Sequence, residues 1–453
     1  MRNKNRPFFY QEKKTIWPKI LLLIIGIVIF TIWGIRVPRI RQLFGWRLMD
    51  VRSYGKSLFI PINTPDPLQF RIPTIYPTVD MPPEEVIFAE NLEDINIEPE
   101  ETNANRSSVV TLTPGITWII KTQRPPSDSK TPVEAEGSKA LLIPPVFEHQ
   151  DFQNDGPAVL SAAIRFFGKT ESQYLIADKI KPDYFDPNVS FDEMEVYLRE
   201  NYPGFASQIR INGDTDILEH LISAGYPVII RIETIKSFPA WVGDDLKDSR
   251  YILVTGFDKA DNRFIYQDPF MGDQLDESYE QIMKNWYAYQ RTYMVIHPET
   301  DKPTIQRILD DQWDRDYNLE SALEKFRKDA DMLPQNVYTW LNIAAILVRN
   351  EQYEEAWNIF RSIQNLSIPQ RYFLYQPSLY SAAFHTGNAD ELSTFADFSL
   401  KINSHSEEAW LWKGWAMLLR NQEEEAARCF QKALSIKSDY HEALYAIEFL
   451  KNN

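Results

Sequence analysis

The chain has 453 residues, 44% of them hydrophobic and 25% charged, which is the composition of a globular protein of about three domains and excludes a wholly disordered chain. Its formal net charge of −16, without a basic block beyond the first residues, excludes a typical nucleic-acid-binding protein. Cys429 is the single cysteine and the six histidines are scattered, so we expect no internal disulfide, no metal and no cofactor.

The first element is a charge-free segment, residues 20–35, with the sequence ILLLIIGIVIFTIWGI. At about 1.5 Å per residue it spans ~24 Å, and flanking tryptophans and basic residues can extend it to both membrane interfaces. It lacks the polar face of a core helix, and no signal-peptide cleavage site follows it. We therefore predict a single-pass membrane anchor at residues 20–36.

Basic residues are nearly balanced on the two sides of this anchor, with six in residues 1–19 and five from Arg36 to Arg52. The segment before the anchor is short, and the rest of the chain follows it. We therefore expect residues 1–19 to be a cytoplasmic tail and the bulk of the chain to lie on the extracytoplasmic side of the cell membrane.

A proline-rich acidic stalk or linker is predicted for residues 37–137. Residues 61–145 carry 14 of the 29 prolines, and residues 80–105 carry nine acidic residues and no basic one. Such a segment buries little apolar surface and favours extended chain. Short apolar runs within it leave a small β-rich domain as the alternative.

Residues 138–300 have the pattern of a compact α+β domain. The residues 190–202 form one predicted helix, in which Ser190 and Glu193 have the spacing of a capping box. Two more helices are predicted at 155–168 and 214–226 from apolar residues at helical spacing. Strands are predicted at 227–233, 250–258, 262–270 and 292–298.

Three segments of this domain resemble the signature blocks of the C39-like cysteine peptidases: HQDFQNDGPAVLSAAIRFFG (149–168), SRYILVTGFD (249–258) and RFIYQDPF (263–270). In that family, a glutamine precedes an Asn-Cys-Gly-Pro-Ala sequence that opens the first helix. A Gly-His-Tyr block and an Asp-Pro or Asp-Ser pair follow later in the chain. The resemblance covers about residues 141–298 and implies a papain-like fold.

The departures from the family pattern fall on the reacting residues. Gln150 matches the oxyanion-hole glutamine and Asp268 matches the orienting acid. Asp155 stands in place of the nucleophilic cysteine, and Arg250 stands in place of the general-base histidine. The resemblance thus implies a peptidase frame that has lost its catalytic residues.

The replacements are chemically poor substitutes for a thiolate and an imidazole. A carboxylate is a far weaker nucleophile toward an amide, and a guanidinium keeps its proton at any physiological pH. Asp155 at a helix N-terminus and Arg250 on a strand nevertheless keep the charges of a thiolate–imidazolium pair. We therefore predict a direct Asp155–Arg250 ion pair, with Asp268 as a possible third member.

Three roles remain open for this cleft. It binds an extended peptide or the tail of a partner, or it is closed and retained as a scaffold, or it hydrolyses with Asp155 as base and Asp268 as second carboxylate. His149 is expected at the cleft rim and not as a displaced base.

An acidic run, Asp244 and Asp245 with Asp248, precedes Arg250 in a predicted loop. We expect this loop to be solvated, with a lid over the cleft as the alternative.

The C-terminal part, residues 301–453, carries a recurring Ala with a Phe four residues later. The pairs are Ala322/Phe326, Ala356/Phe360 and Ala426/Phe430. The first two pairs are 34 residues apart and the third follows after 70, with a degenerate copy around 373–403. This pattern resembles the tetratricopeptide repeat, a helix–turn–helix unit that stacks into an all-α solenoid.

The repeated residues are expected to be structural, and Cys429 is expected to be a buried, inert thiol. If the repeats bind a partner, it would lie on their concave face, where the candidates are Asn342, Tyr375, Tyr380 and Lys413. The alternative is that the repeats only pack against the α+β domain.

The sequence thus predicts a membrane-anchored pseudopeptidase of bacterial origin, not an enzyme, that binds peptide or protein partners through its degenerate cleft or its repeat surface. The alternatives are an active peptidase or amidase with an atypical site and a purely structural surface scaffold. Nothing in the sequence indicates the oligomeric state.

Overall fold

The computed structural model describes residues 138–143 and 146–452, all of which belong to one compact unit. The predicted cytoplasmic tail, anchor and stalk lie outside these residues. Within the described ranges, no helix combines the length and the apolar character needed to cross a membrane.

The α+β part ends at Pro298. Its first strand is followed by three helices, and two further helices lie among the remaining six strands. Its strands are β1 (Lys139–Leu141), β2 (Phe205–Arg210), β3 (Val228–Ile235), β4 (Lys247–Asp258), β5 (Arg263–Asp268), β6 (Gly272–Ser278) and β7 (Tyr293–Pro298). Its helices are α1 (Asp155–Phe166), α2 (Gln173–Ile180), α3 (Phe191–Asn201), α4 (Thr215–Ser223) and α5 (Tyr279–Tyr287).

The sheet is antiparallel, with the strand order β2-β7-β3-β4-β5-β6 and β1 paired to the end of β4. Side chains on a strand alternate between the two faces, so each face has its own core. Leu253 lies on the face covered by α1, α2 and α3, while its neighbours Ile252 and Val254 lie on the face covered by α4 and α5. The three predicted helices and four predicted strands are present, with shifted ends.

One local signal is confirmed in this part: the side chains of Ser190 and Glu193 form the capping box at the start of α3. Asp155 is the first residue of α1, but the N-cap residue is Asn154 and its side chain makes no capping hydrogen bond. Because both ends of the box are satisfied by hydrogen bonds, α3 starts at a fixed point after the preceding loop.

The helical part follows directly. Its helices are α6 (Lys302–Leu309), α7 (Arg315–Met332), α8 (Val337–Arg349), α9 (Tyr353–Ser362), α10 (Tyr372–Tyr375), α11 (Ser378–His385), α12 (Ala389–Ile402), α13 (Glu407–Leu419), α14 (Glu423–Ile436) and α15 (His441–Asn452). From α7 onward the helices pack in chain order, with α9 reaching past the short α10 to α11. The three Ala–Phe pairs of the sequence pattern are buried on α7, α9 and α14.

One glycine allows the closest helix approach of this part. Gly414 on α13 faces the ring of Phe430 on α14, and a Cβ atom there would overlap the ring. Phe430 is fully buried, so the ring has no free space into which to move.

Two loops of the α+β part contact the helical part. The first is the hairpin loop, residues 236–246 between β3 and β4. There, Arg371 forms an ion pair with Asp244, and the indole N–H of Trp241 donates to the side-chain oxygen of Gln370 at 3.0 Å. The second is the Asp186 loop, residues 181–190 between α2 and α3.

At the Asp186 loop, the contacts come from α13 and the segment before it. The side chain of Asn188 donates to Glu408 at 3.2 Å, and that of Asn403 donates to the carbonyl of Phe185 at 2.9 Å. The helical part therefore holds both of these loops.

Candidate functional site

The candidate site lies where α1 begins beside β4. The carboxylate of Asp155 accepts the backbone N–H of Tyr251 at 2.9 Å between the carboxylate oxygen and the amide nitrogen. Asp155 lies in the first turn of α1, where the backbone N–H groups have no partner within the helix. These groups and the helix dipole also favour a negative charge there. Asp155 is only partly exposed and is held by the strand that carries Arg250.

Arg250 pairs with Asp268, the residue that ends β5, at 2.8 Å between guanidinium nitrogen and carboxylate oxygen. The guanidinium also lies over the ring of Phe270 at 4.2 Å. The predicted direct ion pair between Asp155 and Arg250 is wrong, because among the described residues the ion pair of Arg250 is with Asp268. β4 and β5 are neighbours in the sheet, so their side chains meet more closely than either meets Asp155.

The environment of Asp155 acts on its pKa in two directions. Burial raises the pKa, and this outweighs the lowering by the Tyr251 amide and by the charges of Arg231 and Arg250. A desolvated carboxyl is harder to ionise than one in water. Asp155 thus holds its proton more tightly than an ordinary aspartate.

Arg231 is a site residue that the sequence analysis missed. It is buried on β3, and its guanidinium donates to Asn188 at 2.8 Å. The rings of Tyr251, Tyr289 and Tyr375 surround it at 4.9, 5.1 and 4.8 Å from the guanidinium carbon. The available signal was a single arginine within the apolar run VIIRIE, since a charge inside a buried strand requires partners.

Gln150 and His149 lie on the segment that leads into α1. The amide of Gln150 donates to the carbonyl of Pro269 at 2.9 Å, which places this segment beside the Arg250–Asp268 pair. The side-chain oxygen of Gln150 and Nδ1 of His149 are buried without a hydrogen-bond partner. The frame positions Gln150, Asp155, Arg250 and Asp268 are therefore assembled in one region.

The acidic run is not a solvated loop. The side chain of Asp244 is fully buried against Arg371, and Asp248 accepts a hydrogen bond from the hydroxyl of Tyr375. Asp245 accepts the amide of Gln370 at 2.8 Å. The acids bind the helical part, and this contact explains why three of them occur so close together.

The four predicted binding residues have different surroundings in the structure. Asn342 and Tyr375 contact the α+β part: Asn342 donates to the carbonyl of Tyr287 at 2.7 Å, and the Tyr375 ring covers Arg231. Tyr380 is fully buried.

Their expected position on an open concave face is wrong for Asn342 and Tyr380, because packing leaves neither side chain exposed. Lys413 alone lies at an open depression, next to Trp410, and it pairs with Asp397 at 2.7 Å. Cys429, as expected, is buried.

Residues 149–294 match the profile of the family described as "Peptidase_C39 like family". This match and the antiparallel α+β fold identify a C39-like peptidase-fold domain in the chain. No curated protein matches the chain.

Solved structures that match the chain include one from Bacillus anthracis whose description names a C39-like peptidase, at 15% identity and a TM-score of 0.29, over 36% of this chain and 99% of that one. The peptidase domain of Streptococcus ComA, a bifunctional ABC transporter of a quorum-sensing pathway, matches at 18% identity and a TM-score of 0.25, over 35% and 99% of the two chains. MamA matches at 18% identity and a TM-score of 0.26, over 30% and 78%.

Proposed function

We propose that this protein is a membrane-anchored pseudopeptidase that binds a peptide or protein partner without hydrolysing it. The observation that carries the proposal is the state of the two reacting positions: Asp155 accepts the Tyr251 amide, and Arg250 is held by Asp268. Neither a guanidinium nor a hydrogen-bonded carboxylate replaces the thiolate and imidazole of a cysteine peptidase. The single cysteine, Cys429, is buried in the helical part and far along the chain.

Binding beside Gln150 is supported by an unused acceptor. A buried amide oxygen without a partner is costly, and the N–H of a bound peptide would satisfy it. Val146 and Met271 are 84% and 60% exposed on the two segments that meet at the Gln150–Pro269 hydrogen bond. They offer apolar surface for a peptide side chain next to that acceptor.

The helical part fits the role of a tetratricopeptide-like array. Its helices follow in pairs, and the Ala and Phe residues of the repeat pattern are buried where small and large side chains interlock. In this proposal the array holds the peptidase-like fold on one surface and leaves the opposite surface for partners.

A purely structural scaffold is the second candidate. It is favoured by one observation: Asn342 and Tyr375, which we expected to bind a partner, bind the chain's own α+β part instead. In that case the surface beside Gln150 has no ligand, and the domain serves to present surfaces.

The experiment compares the full chain with the double variant Asp155→Cys/Arg250→His, using a mixed-sequence peptide library and mass spectrometry. A histidine at 250 would stand next to Asp268, which already lies at hydrogen-bond distance from the present side chain. If the double variant cleaves peptides and the unmodified chain does not, the result supports a site that binds peptides but lacks the catalytic residues. Cleavage by the unmodified chain that Asp155→Ala abolishes overturns the proposal.

Retention is measured in parallel, because the double variant can fail for reasons other than binding. Peptides that co-purify with the unmodified full chain, and that Gln150→Ala releases, support the surface beside Gln150 as the binding site. If no peptide is retained and neither protein cleaves, the scaffold candidate replaces the binding proposal.

A further inference from the structure

Three carboxylates from distant parts of the chain meet between the two parts of the fold. Asp186 comes from the Asp186 loop, and Glu407 and Glu408 come from the first turn of α13. One oxygen of each lies within 4.8 Å of an oxygen of the other two. Asp186 and Glu407 are each only 1% exposed, so water does little to screen their repulsion.

The nearby ammonium groups are engaged elsewhere. Lys437 forms an ion pair with Glu193, and Lys181 donates to the carbonyls of Asp183 and Tyr184 at 3.2 and 3.0 Å. No basic side chain in the described ranges forms an ion pair with the three carboxylates. Glu193, the ion-pair partner of Lys437, adds a fourth carboxylate to this neighbourhood.

A second observation points to a missing partner. One carboxylate oxygen of Glu407 is buried and has no hydrogen-bond partner. Its neighbours are better satisfied: Asp186 accepts the amide of Asn188 at 3.0 Å, and Glu408 accepts the Asn188 side chain at 3.2 Å. A buried carboxylate without a partner is expensive unless it is protonated or binds a cation.

We propose that Asp186, Glu407 and Glu408 bind a hard divalent cation, with Ca²⁺ as the best fit, between the α+β part and the helical part. Ca²⁺ binds oxygen ligands at about 2.3–2.6 Å, so two of its ligands lie at most about 5 Å apart. The spacing of these oxygens falls within that limit, and a divalent cation would offset the repulsion among the three carboxylates. The ion would tie the Asp186 loop to the start of α13.

The sequence analysis expected no metal because it searched for histidine and cysteine ligands. These carboxylates lie on segments that only the tertiary fold brings together, so no local spacing indicates them. Carboxylate ligands favour Ca²⁺ or Mg²⁺ over zinc, which fits the absence of a histidine–cysteine pattern.

The test uses the full chain, stripped with EDTA and then dialysed, in thermal unfolding and isothermal titration with CaCl₂ or MgCl₂. We expect one ion per chain and a rise in Tm of several degrees, since an ion that binds only the folded state stabilises it. Glu407→Gln should remove the rise in Tm. The same variant should unfold at a higher temperature than the unmodified chain when both are free of metal, because a buried repulsion is gone.

The matched control is Glu423→Gln. Glu423 is the first residue of α14, as Glu407 is of α13, and both substitutions remove one negative charge. Glu423 is exposed, and this control should keep the full response to Ca²⁺. The proposal is overturned if neither ion changes the Tm of the unmodified chain, or if Glu407→Gln leaves ion binding intact. The latter result would place the binding elsewhere in the chain.

Discussion

Arg371 and Asp244 form a two-point ion pair that is almost free of solvent. Both guanidinium NH₂ groups donate to the carboxylate, each at 2.7 Å, and the exposed fractions of the two side chains are 6% and 0%. The pair joins the segment before α10 to the hairpin loop. It fixes the helical part to the loop that joins two central strands of the sheet, β3 and β4.

Removing one member of this pair should destabilise the fold strongly. Arg371→Ala leaves the Asp244 carboxylate buried without its partner, which costs about 3–5 kcal/mol of the free energy of unfolding. Urea unfolding followed by circular dichroism measures the loss. Arg327→Ala, which breaks the exposed pair with Glu355, is the control and should cost at most about 1 kcal/mol.

The same pair predicts the pH dependence of the loss. Burial alone would raise the pKa of Asp244, but the hydrogen bonds from Arg371 and from the Ala240 and Leu246 amides lower it below its ordinary value. A lowered carboxyl pKa contributes stability above the ordinary pKa of 3.8, and this stability is lost as the pH falls toward the folded-state pKa. The difference between the unmodified chain and Arg371→Ala should therefore be full at pH 7 and shrink below pH 4; a constant difference would contradict this.

For Asp155→Asn, the difference in stability from the unmodified chain should have the opposite sign at pH 7. The pKa of Asp155 is raised by burial, so the folded state takes up a proton more readily than the unfolded state. The carboxylate therefore weakens the fold as the pH rises through the window above its ordinary pKa of 3.8. The amide oxygen of Asn can still accept the Tyr251 N–H, and the variant should be at least as stable as the unmodified chain at pH 7.

Urea unfolding at pH 4, 5 and 7 measures this difference. The advantage of Asp155→Asn should be greatest at pH 7 and decline toward pH 4, and Asp439→Asn, at an exposed position, should show no such trend. A variant that becomes progressively less stable than the unmodified chain at higher pH would mean that the charged form of Asp155 supports the fold.

A substitution at Tyr375 tests whether this residue supports the fold or binds a ligand. Tyr375→Phe keeps the ring over Arg231 but removes the hydroxyl that donates to Asp248, which should cost about 1–3 kcal/mol. Thermal unfolding measures it against Tyr317→Phe, a change at a tyrosine that is 45% exposed. An unchanged Tm together with weaker peptide retention would show that Tyr375 acts on a ligand and not on the fold.

Gly414→Ala should destabilise the helical part even though alanine favours helices. The new Cβ would overlap the buried ring of Phe430, and overpacking of a rigid core costs about 1–3 kcal/mol. The gain in helix propensity is at most about 1 kcal/mol. Adding Phe430→Leu should recover part of the loss, whereas Gly204→Ala, where nothing lies within 4 Å, should change little.

Local patterns predicted the start of α3, because the capping box of Ser190 and Glu193 depends only on neighbouring residues. The helix α1 starts where it was predicted, but Asp155 does not cap it, since its carboxylate accepts the distant Tyr251 amide. The strands β2 and β6 were missed. Both carry many polar residues and lie at the edges of the sheet, so neither has the apolar run of a central strand.

The pairing of charges was much harder to predict. Arg250 had two acidic candidates, and strand adjacency selected Asp268 over Asp155. Asp244 has Lys247 and Arg250 nearby in the sequence, yet its partner is Arg371 in the helical part. Tertiary packing determines which charged residues form ion pairs. The sequence shows which charged residues are present but not which of them come into contact.

Strand β1 has a mechanical consequence. It is only three residues long, and its pairing with β4 runs from Lys139 opposite Asp258 to Leu141 opposite Gly256, with an ion pair between Lys139 and Asp258. Among the described residues, β1 is the first element of the chain and the first to pair with the sheet. A pull on the N-terminal side would therefore peel β1 from β4 before it strained either core, and the lengthened tether would protect the rest of the fold.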